Sequence, residues 1–89
     1  MPIQFSRSAS RHGISRARAT HVVQTCPLPL YSPEAEDEDL VVFLGPDQDG
    51  VALEVIALEL GNGFLVIHAM KLRPKYVEAF RQVMETHGR

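Results

Sequence analysis

One short stretch of this chain, IHAMKLRPKY, concentrates side chains that can bind and cleave a phosphodiester. Between Ile67 and Tyr76 it holds one imidazole, three cations and one phenol. Histidine acts as a general acid or base near neutral pH, and arginine binds phosphate through two parallel hydrogen bonds. Lysine supplies a compact positive charge, and tyrosine can hold or stack a nucleobase. This stretch is therefore the first candidate for a functional site.

The reaction that suits these residue types is the cleavage of RNA without a metal. It requires a base for the 2′-hydroxyl, positive charge at the phosphorane and an acid for the departing 5′-oxygen. We predict that His68 is the acid or base, that Lys71 and Arg73 stabilise the phosphate, and that Tyr76 positions the nucleotide. The alternative is structural: His68 is then a hydrogen-bonded residue of an apolar strand, and the cations form a solvated turn.

No metal or cofactor is expected from the sequence. The four histidines and Cys26 lack a compact ligand pair, such as two histidines one helical turn apart. Cys26 is followed directly by Pro27 and has no basic neighbour that would activate its thiol. The segment from Gly45 to Gly50 lacks a phosphate-binding lysine, so we interpret it as a hairpin loop.

Charges are segregated along the chain although the net charge is only −2. Residues 1–33 hold four arginines and no acid, residues 34–59 hold nine acids and no base, and residues 60–89 hold five bases and two acids. If the two ends of the chain meet in the fold, they form a basic face for a polyanion. The predicted RNA-binding residues are Arg7, Arg11, Arg16, Arg18 and Lys75. The alternative is that these residues lie on solvated helix faces.

The length of 89 residues predicts a single small domain spanning residues 1–89. No apolar run approaches the roughly 20 residues that span a bilayer, and the first residues lack the apolar core of a secretion signal. The single cysteine cannot form an internal disulfide, in keeping with a reducing compartment. We therefore expect a cytoplasmic protein that does not contact a membrane.

Helix signals occur near both ends of the chain. Gly13 followed by Ser15 is typical of one helix ending and the next beginning, which predicts helices at about 5–12 and 16–24. Pro74 favours the first position of a last helix, at about 74–86, with apolar residues at helical spacing. The proline-rich segment at 26–30 is expected to be an edge segment or loop, and the acidic run at 34–39 an exposed loop.

Three apolar runs between 40 and 70 are joined by glycine-containing turns, which predicts an antiparallel meander. Strict alternation would place Phe64, Val66, His68 and Met70 on one face of the last strand, and Leu65, Ile67 and Ala69 on the other. Both faces of the sheet are apolar and need cover, from helices, a second copy or another protein. The predicted fold class is α+β, with short N-terminal helices, a three- to four-stranded antiparallel β-meander and a C-terminal helix.

The order of elements and several short motifs resemble BrnT-like toxins, small ribonucleases of the RelE/ParE superfamily found in bacterial type II toxin–antitoxin systems. The likeness covers about residues 10–80 and rests on RHGIS at 11–15, on strands and turns bounded by Gly45 and Gly50, and on IHAM at 67–70 followed by Arg73. The resemblance implies a compact α+β ribonuclease neutralised by an antitoxin that covers its surface. It places His12, His68 and Arg73 nearest the family's functional positions.

These observations together predict a toxin-like endoribonuclease that cleaves mRNA by acid–base chemistry. The expected partners are the RNA substrate and a cognate antitoxin, with assembly as a homodimer or a toxin–antitoxin hetero-oligomer. The main alternative is a non-catalytic interaction module that binds a partner through its apolar sheet face. A third is a nucleic-acid-binding protein that does not cleave its ligand.

Overall fold

The computed structural model describes residues 2–27, 29–31 and 40–87, so the acidic run at 34–39 and Leu28 lie outside the described residues. Strands are β1 (Ile3–Phe5), β2 (Leu30–Tyr31), β3 (Leu40–Pro46), β4 (Ala52–Leu60) and β5 (Gly63–Lys71). Helices are α1 (Arg16–Thr25) and α2 (Val77–His87), with short 3₁₀ helices at Arg7–Ser10 and Pro74–Tyr76. The predicted α+β class and the C-terminal helix are confirmed.

The strands form one mixed sheet in the order β1-β5-β4-β3-β2. The antiparallel meander β3-β4-β5 is confirmed. Two short strands extend it at its edges: β2 pairs antiparallel with β3, and β1 pairs parallel with β5. The edge strand β2 begins at Leu30, the last residue of the segment 26–30 that was predicted to be an edge segment or loop.

The N-terminal segment differs from the helix predicted at about 5–12. Only Arg7–Ser10 is helical there, and the preceding Ile3–Phe5 is a strand. Ile3 and Phe5 lie opposite Phe64 and Val66, and the backbone N–H of Ser6 then donates to the carbonyl of Val66 at 2.9 Å. Pairing with a distant strand therefore overrides the local helical tendency.

The second helix begins where the sequence predicts. Gly13 has the left-handed backbone that ends the preceding turn, with φ +76°. The Ser15 hydroxyl accepts a hydrogen bond from the backbone N–H of Arg18 at 3.2 Å, which satisfies one of the free donors at the start of α1. Ser15 therefore stabilises the first turn of α1.

Helix α1 covers one face of the sheet, here called the α1 face. Its Ala19, Val22 and Val23 are buried in a cluster with alternate residues of β3, β4 and β5. Phe43 and Phe64 meet edge to face in this cluster, with ring centroids 5.1 Å apart. The α1 face is therefore the main hydrophobic core.

The opposite face, here called the α2 face, is covered less completely. Helix α2 contacts β3, where Leu44 and Val83 are fully buried. Ile56, Leu58, Leu65 and Met70, which lie on or beside this face, are only half-buried, and Leu60 and Val77 are exposed. Helix α2 therefore leaves apolar surface of β4 and β5 open to a partner.

A β-bulge in β5 changes the predicted alternation. Ile56 pairs with His68 and Ala57 pairs with Val66, so Ile67 has no partner residue in β4. The extra residue keeps Phe64, Val66 and Ala69 together in the core while turning His68 to the α2 face. The predicted grouping of His68 with Phe64 and Val66 is wrong, because a bulge shifts the period by one residue.

No helix among residues 2–27, 29–31 and 40–87 combines the length and hydropathy needed to cross a membrane.

Gly63→Ala is expected to destabilise the protein by about 2 kcal/mol, because the added methyl group overlaps the carbonyl oxygen of Pro2. That carbonyl accepts the backbone N–H of Phe64 at 3.0 Å, so relieving the overlap displaces the start of β1. Urea unfolding measures the loss. Gly61→Ala is the matched control, since nothing lies within 4 Å of its added Cβ. Equal effects of the two substitutions would contradict the pairing of β1 with β5.

Candidate active site

The candidate site is centred on Glu54, a carboxylate near the start of β4 that is 0% exposed. Its Oε1 accepts the backbone N–H of Arg73 at 2.9 Å, and its Oε2 accepts Nη2 of the same residue at 2.6 Å. The Nε of Arg73 lies 3.0 and 2.9 Å from the two oxygens. Because Arg73 immediately precedes the 3₁₀ helix that begins at Pro74, these bonds attach the strand-to-helix junction to β4.

His68 binds the same carboxylate from β5. Its Nε2 lies 3.1 Å from Oε2 of Glu54, and its side chain is 22% exposed. An ionised carboxylate only accepts hydrogen bonds, so Nε2 carries the proton and Nδ1 keeps a lone pair. Glu54 therefore fixes both the orientation and the tautomer of the imidazole.

Electrostatics keep Glu54 ionised and His68 neutral. Burial raises the pKa of Glu54, but the hydrogen bonds and charge of Arg73 outweigh it, and the pKa lies below its ordinary value of 4.5. Burial lowers the pKa of His68 below 6.5, Arg73 and His12 lower it further, and Glu54 opposes them only in part. A neutral imidazole beside a fixed guanidinium can accept a proton at neutral pH.

Three more of the predicted residues lie at this end of the sheet. The ring of His12, in the loop before α1, meets the ring of His68 edge to face with centroids 5.3 Å apart. Arg73 Cζ lies 5.7 Å and Lys75 Nζ 5.1 Å from the centre of the Tyr76 ring. The cluster of Glu54, His68, Arg73, His12 and Tyr76 is called the Glu54 cluster below.

Lys71 lies apart from the Glu54 cluster. It pairs across the strands with Leu53, a residue of the core on the α1 face. Residues paired directly across an antiparallel ladder share a face, so Lys71 belongs to the face opposite His68. The sequence placed Lys71 at the correct end of the sheet, but the register separates it from the histidine.

Arg18, predicted to contact RNA, is held by a buried carboxylate. Its Nε lies 2.7 Å from Oδ2 of Asp47, whose Oδ1 accepts the backbone N–H groups of Asp49 and Val51 at 2.9 Å each. The bond from Val51 contributes most to lowering the pKa of Asp47, although burial opposes it. Asp47 therefore joins the β3–β4 hairpin loop to α1, and Arg18 serves that attachment.

The other predicted RNA-binding arginines are exposed. Arg7 lies in the first 3₁₀ helix, and Arg11 follows it. Arg16, at the start of α1, places its Cζ 5.5 Å from the centre of the Phe5 ring. These three side chains therefore remain accessible to a ligand, in contrast to Arg18.

Glu54 was not predicted as a site residue. The sequence of β4, ALEVIALEL, places the charged Glu54 between apolar residues, and this pattern could have identified it. Charged residues are seldom fully buried without a partner, so the pattern itself calls for a buried cation or hydrogen-bond donor. The partner Arg73 is 19 residues away and is apparent only from the strand register.

Within the described residues, histidine, cysteine, aspartate and glutamate side chains form no group of three that could hold a metal ion. Comparisons with protein-family models, with curated proteins and with solved structures found no match for this chain. The case for a function therefore depends on the residues of the Glu54 cluster and their geometry.

Stability is expected to fall as the pH drops below about 6.5, since the pKa of His68 is lower in the folded protein than in the unfolded chain. At pH values between about 6.5 and the lower pKa of His68 in the folded protein, the unfolded chain binds a proton at this residue and the folded protein does not. Protonation therefore favours unfolding in this range. Urea unfolding between about pH 7.5 and 5 measures this slope. His68→Gln, which does not titrate, should flatten it. Identical slopes for the two proteins would contradict the assignment.

Proposed function

We propose that the protein is a toxin-type endoribonuclease that cleaves RNA by acid–base chemistry without a metal. The observation that carries the proposal is the fixed imidazole of His68, bound through Nε2 to buried Glu54 beside Arg73 and in contact with His12. A neutral histidine oriented by a carboxylate is a general base, and a second imidazole next to it supplies an acid.

In the proposed reaction, Nδ1 of His68 removes the proton from a 2′-hydroxyl. The 2′-oxygen attacks the adjacent phosphorus, the bond from phosphorus to the 5′-oxygen breaks, and protonated His12 donates a proton to that oxygen. The products are a 2′,3′-cyclic phosphate and a 5′-hydroxyl. His12 is exposed, so rotation of its side chain admits the phosphate between the two rings.

Arg73 and Tyr76 supply binding in this scheme. Glu54 engages Nε and Nη2 of Arg73, whereas Nη1 forms no bond to the carboxylate, and the side chain is 36% exposed. The outward edge of the guanidinium can therefore donate to a phosphate oxygen and stabilise the charge of the phosphorane. The ring of Tyr76, with Arg73 and Lys75 over it, offers a surface on which a base can stack.

The α2 face is only partly covered and therefore favours a protein partner. A protein partner is expected both for the proposed toxin and for the alternative function. Leu60 at the end of β4 is 36% exposed and Val77 at the start of α2 is 54% exposed, and Ile56, Leu58, Leu65 and Met70 are half-buried. In the toxin proposal an antitoxin covers this surface. In the alternative, the protein is a non-catalytic interaction module and the Glu54 cluster only closes one end of the sheet.

The test is incubation of the purified protein with a synthetic RNA in excess EDTA. We expect fragments ending in a 2′,3′-cyclic phosphate, and no cleavage of the same sequence carrying 2′-deoxyribose throughout. Cleavage of the deoxy strand would contradict the mechanism. Absence of cleavage, both of free RNA and of mRNA on ribosomes, would favour the interaction module.

A further inference from the structure

A second basic feature lies beside the first 3₁₀ helix, Arg7–Ser10. An open cleft of about 220 Å³ is formed there by β1, this helix and the first turn of α1. Its lining includes Phe5, Ser10 and the two arginines Arg7 and Arg16. The Glu54 cluster contributes no residue to it.

The cleft has positive charge that the described residues do not neutralise. Arg18, Arg73 and Arg81 each form an ion pair with a carboxylate. No carboxylate of residues 2–27, 29–31 and 40–87 lies within 4.0 Å of Arg7 or Arg16. Two unpaired guanidinium groups at one concave surface attract an anion, and arginine matches the geometry of a phosphate oxygen pair.

The cleft also offers an aromatic surface. Arg16 lies over the ring of Phe5 at 5.5 Å, so a planar guanidinium and an aromatic face occur together at the cleft. Single-stranded RNA is bound by stacking bases on such rings and guanidinium planes, with cations along the backbone. This combination favours a nucleotide over a simple inorganic anion.

The cleft is attached to the strand that carries His68. The Ser8 hydroxyl donates to the carbonyl of the bulge residue Ile67 at 2.8 Å, and the Ser10 hydroxyl donates to the carbonyl of Arg7 at 3.2 Å. The chain from Arg7 to His12 spans at most roughly 17 Å even if extended. An RNA strand of a few nucleotides can therefore reach from the cleft to the two histidines.

We propose that the cleft between Arg7 and Arg16 binds a phosphodiester of single-stranded RNA, adjacent to the bond that the Glu54 cluster cleaves. The adjacency depends on the proposed ribonuclease function, whereas the binding itself does not. Arg7 and Arg16 then set the register of the RNA without taking part in bond cleavage.

The test measures binding by fluorescence anisotropy, using a labelled 12-nucleotide RNA with 2′-O-methyl groups throughout, which cannot be cleaved. Arg7→Ala/Arg16→Ala is expected to weaken binding about tenfold and to reduce the slope of log affinity against log salt by about 1.4, corresponding to two lost phosphate contacts. Arg7→Lys/Arg16→Lys should retain most of this slope, because the charges remain. Each variant is checked for unchanged thermal unfolding.

Arg81→Ala is the matched control, because it removes an exposed arginine from α2, away from the cleft. If the double alanine variant binds RNA as the control does, the cleft proposal is overturned, whether or not the protein cleaves RNA. Arginine-dependent binding to phosphatidylglycerol vesicles without binding to the RNA would also overturn it. Arginine-dependent RNA binding without cleavage, both of free RNA and of mRNA on ribosomes, would support the cleft and refute only the ribonuclease function.

Discussion

Arg73→Ala is expected to lower the free energy of unfolding by about 3 kcal/mol, because it leaves the carboxylate of Glu54 buried without its main partner. Glu54 is 0% exposed, and among its described partners only the His68 imidazole would remain. The value lies at the lower end for broken buried pairs, since the Arg73 side chain is 36% exposed and water can replace part of its contact. For a chain of this size the melting temperature should fall by roughly 12–24 °C.

The matched control is again Arg81→Ala. Arg81 pairs with Glu78 and Glu85 on the exposed side of α2, and loss of such a solvent-screened pair should change the stability little. Replacing both members of the buried pair, as Glu54→Leu/Arg73→Leu, should recover much of the stability, since no unpaired buried charge then remains. An Arg73→Ala variant as stable as the control would show that Glu54 does not depend on its arginine.

His68→Ala is expected to reduce the rate of RNA cleavage in EDTA by about 10²- to 10⁴-fold, which is the usual contribution of a general base. Its effect on stability should be near 1 kcal/mol, because one partly exposed hydrogen bond to Glu54 is lost. His12→Ala should also slow cleavage. The decline in rate at low pH, which protonation of His68 causes in the wild type, should be absent from the residual activity of His68→Ala.

His21→Ala provides the control for this prediction. His21 lies in α1 on the wall of a different cleft, with Cys26 and Met84, and it has no contact with the Glu54 cluster. Cleavage by His68→Ala at the rate of His21→Ala would show that the cluster is structural. Loss of cleavage with intact folding in His68→Ala, together with normal cleavage by His21→Ala, would instead exclude the non-catalytic module.

Local signals were sufficient for much of the fold. Gly50, with φ +85°, ends the loop between β3 and β4, and Ser15 caps α1 as its position in the sequence indicates. Pro74 begins the turn that leads into α2. Each of these features depends on the conformational preference of one residue and its close neighbours, so a single sequence reveals it.

Features that depend on pairing between distant strands could not be predicted from local sequence signals. Strand β1 has three residues and exists because it pairs with Phe64–Val66. The bulge at Ile67 is equally invisible, because an extra residue is defined only by the strand opposite. His68 was therefore predicted on the wrong face, whereas its predicted proximity to Arg73 agrees with the bonds that both side chains form to Glu54.

The parallel pairing of β1 with β5 affects the order in which the Glu54 cluster can form during synthesis. The ribosome makes residues 3–12 first, whereas their partner strand Gly63–Lys71 follows much later. The bond from Ser8 to Ile67 alone joins residues 59 positions apart. A nascent chain that ends before β5 therefore has no strand against which β1 and the segment leading to His12 can pack, and the two histidines come together only after β5 has been translated.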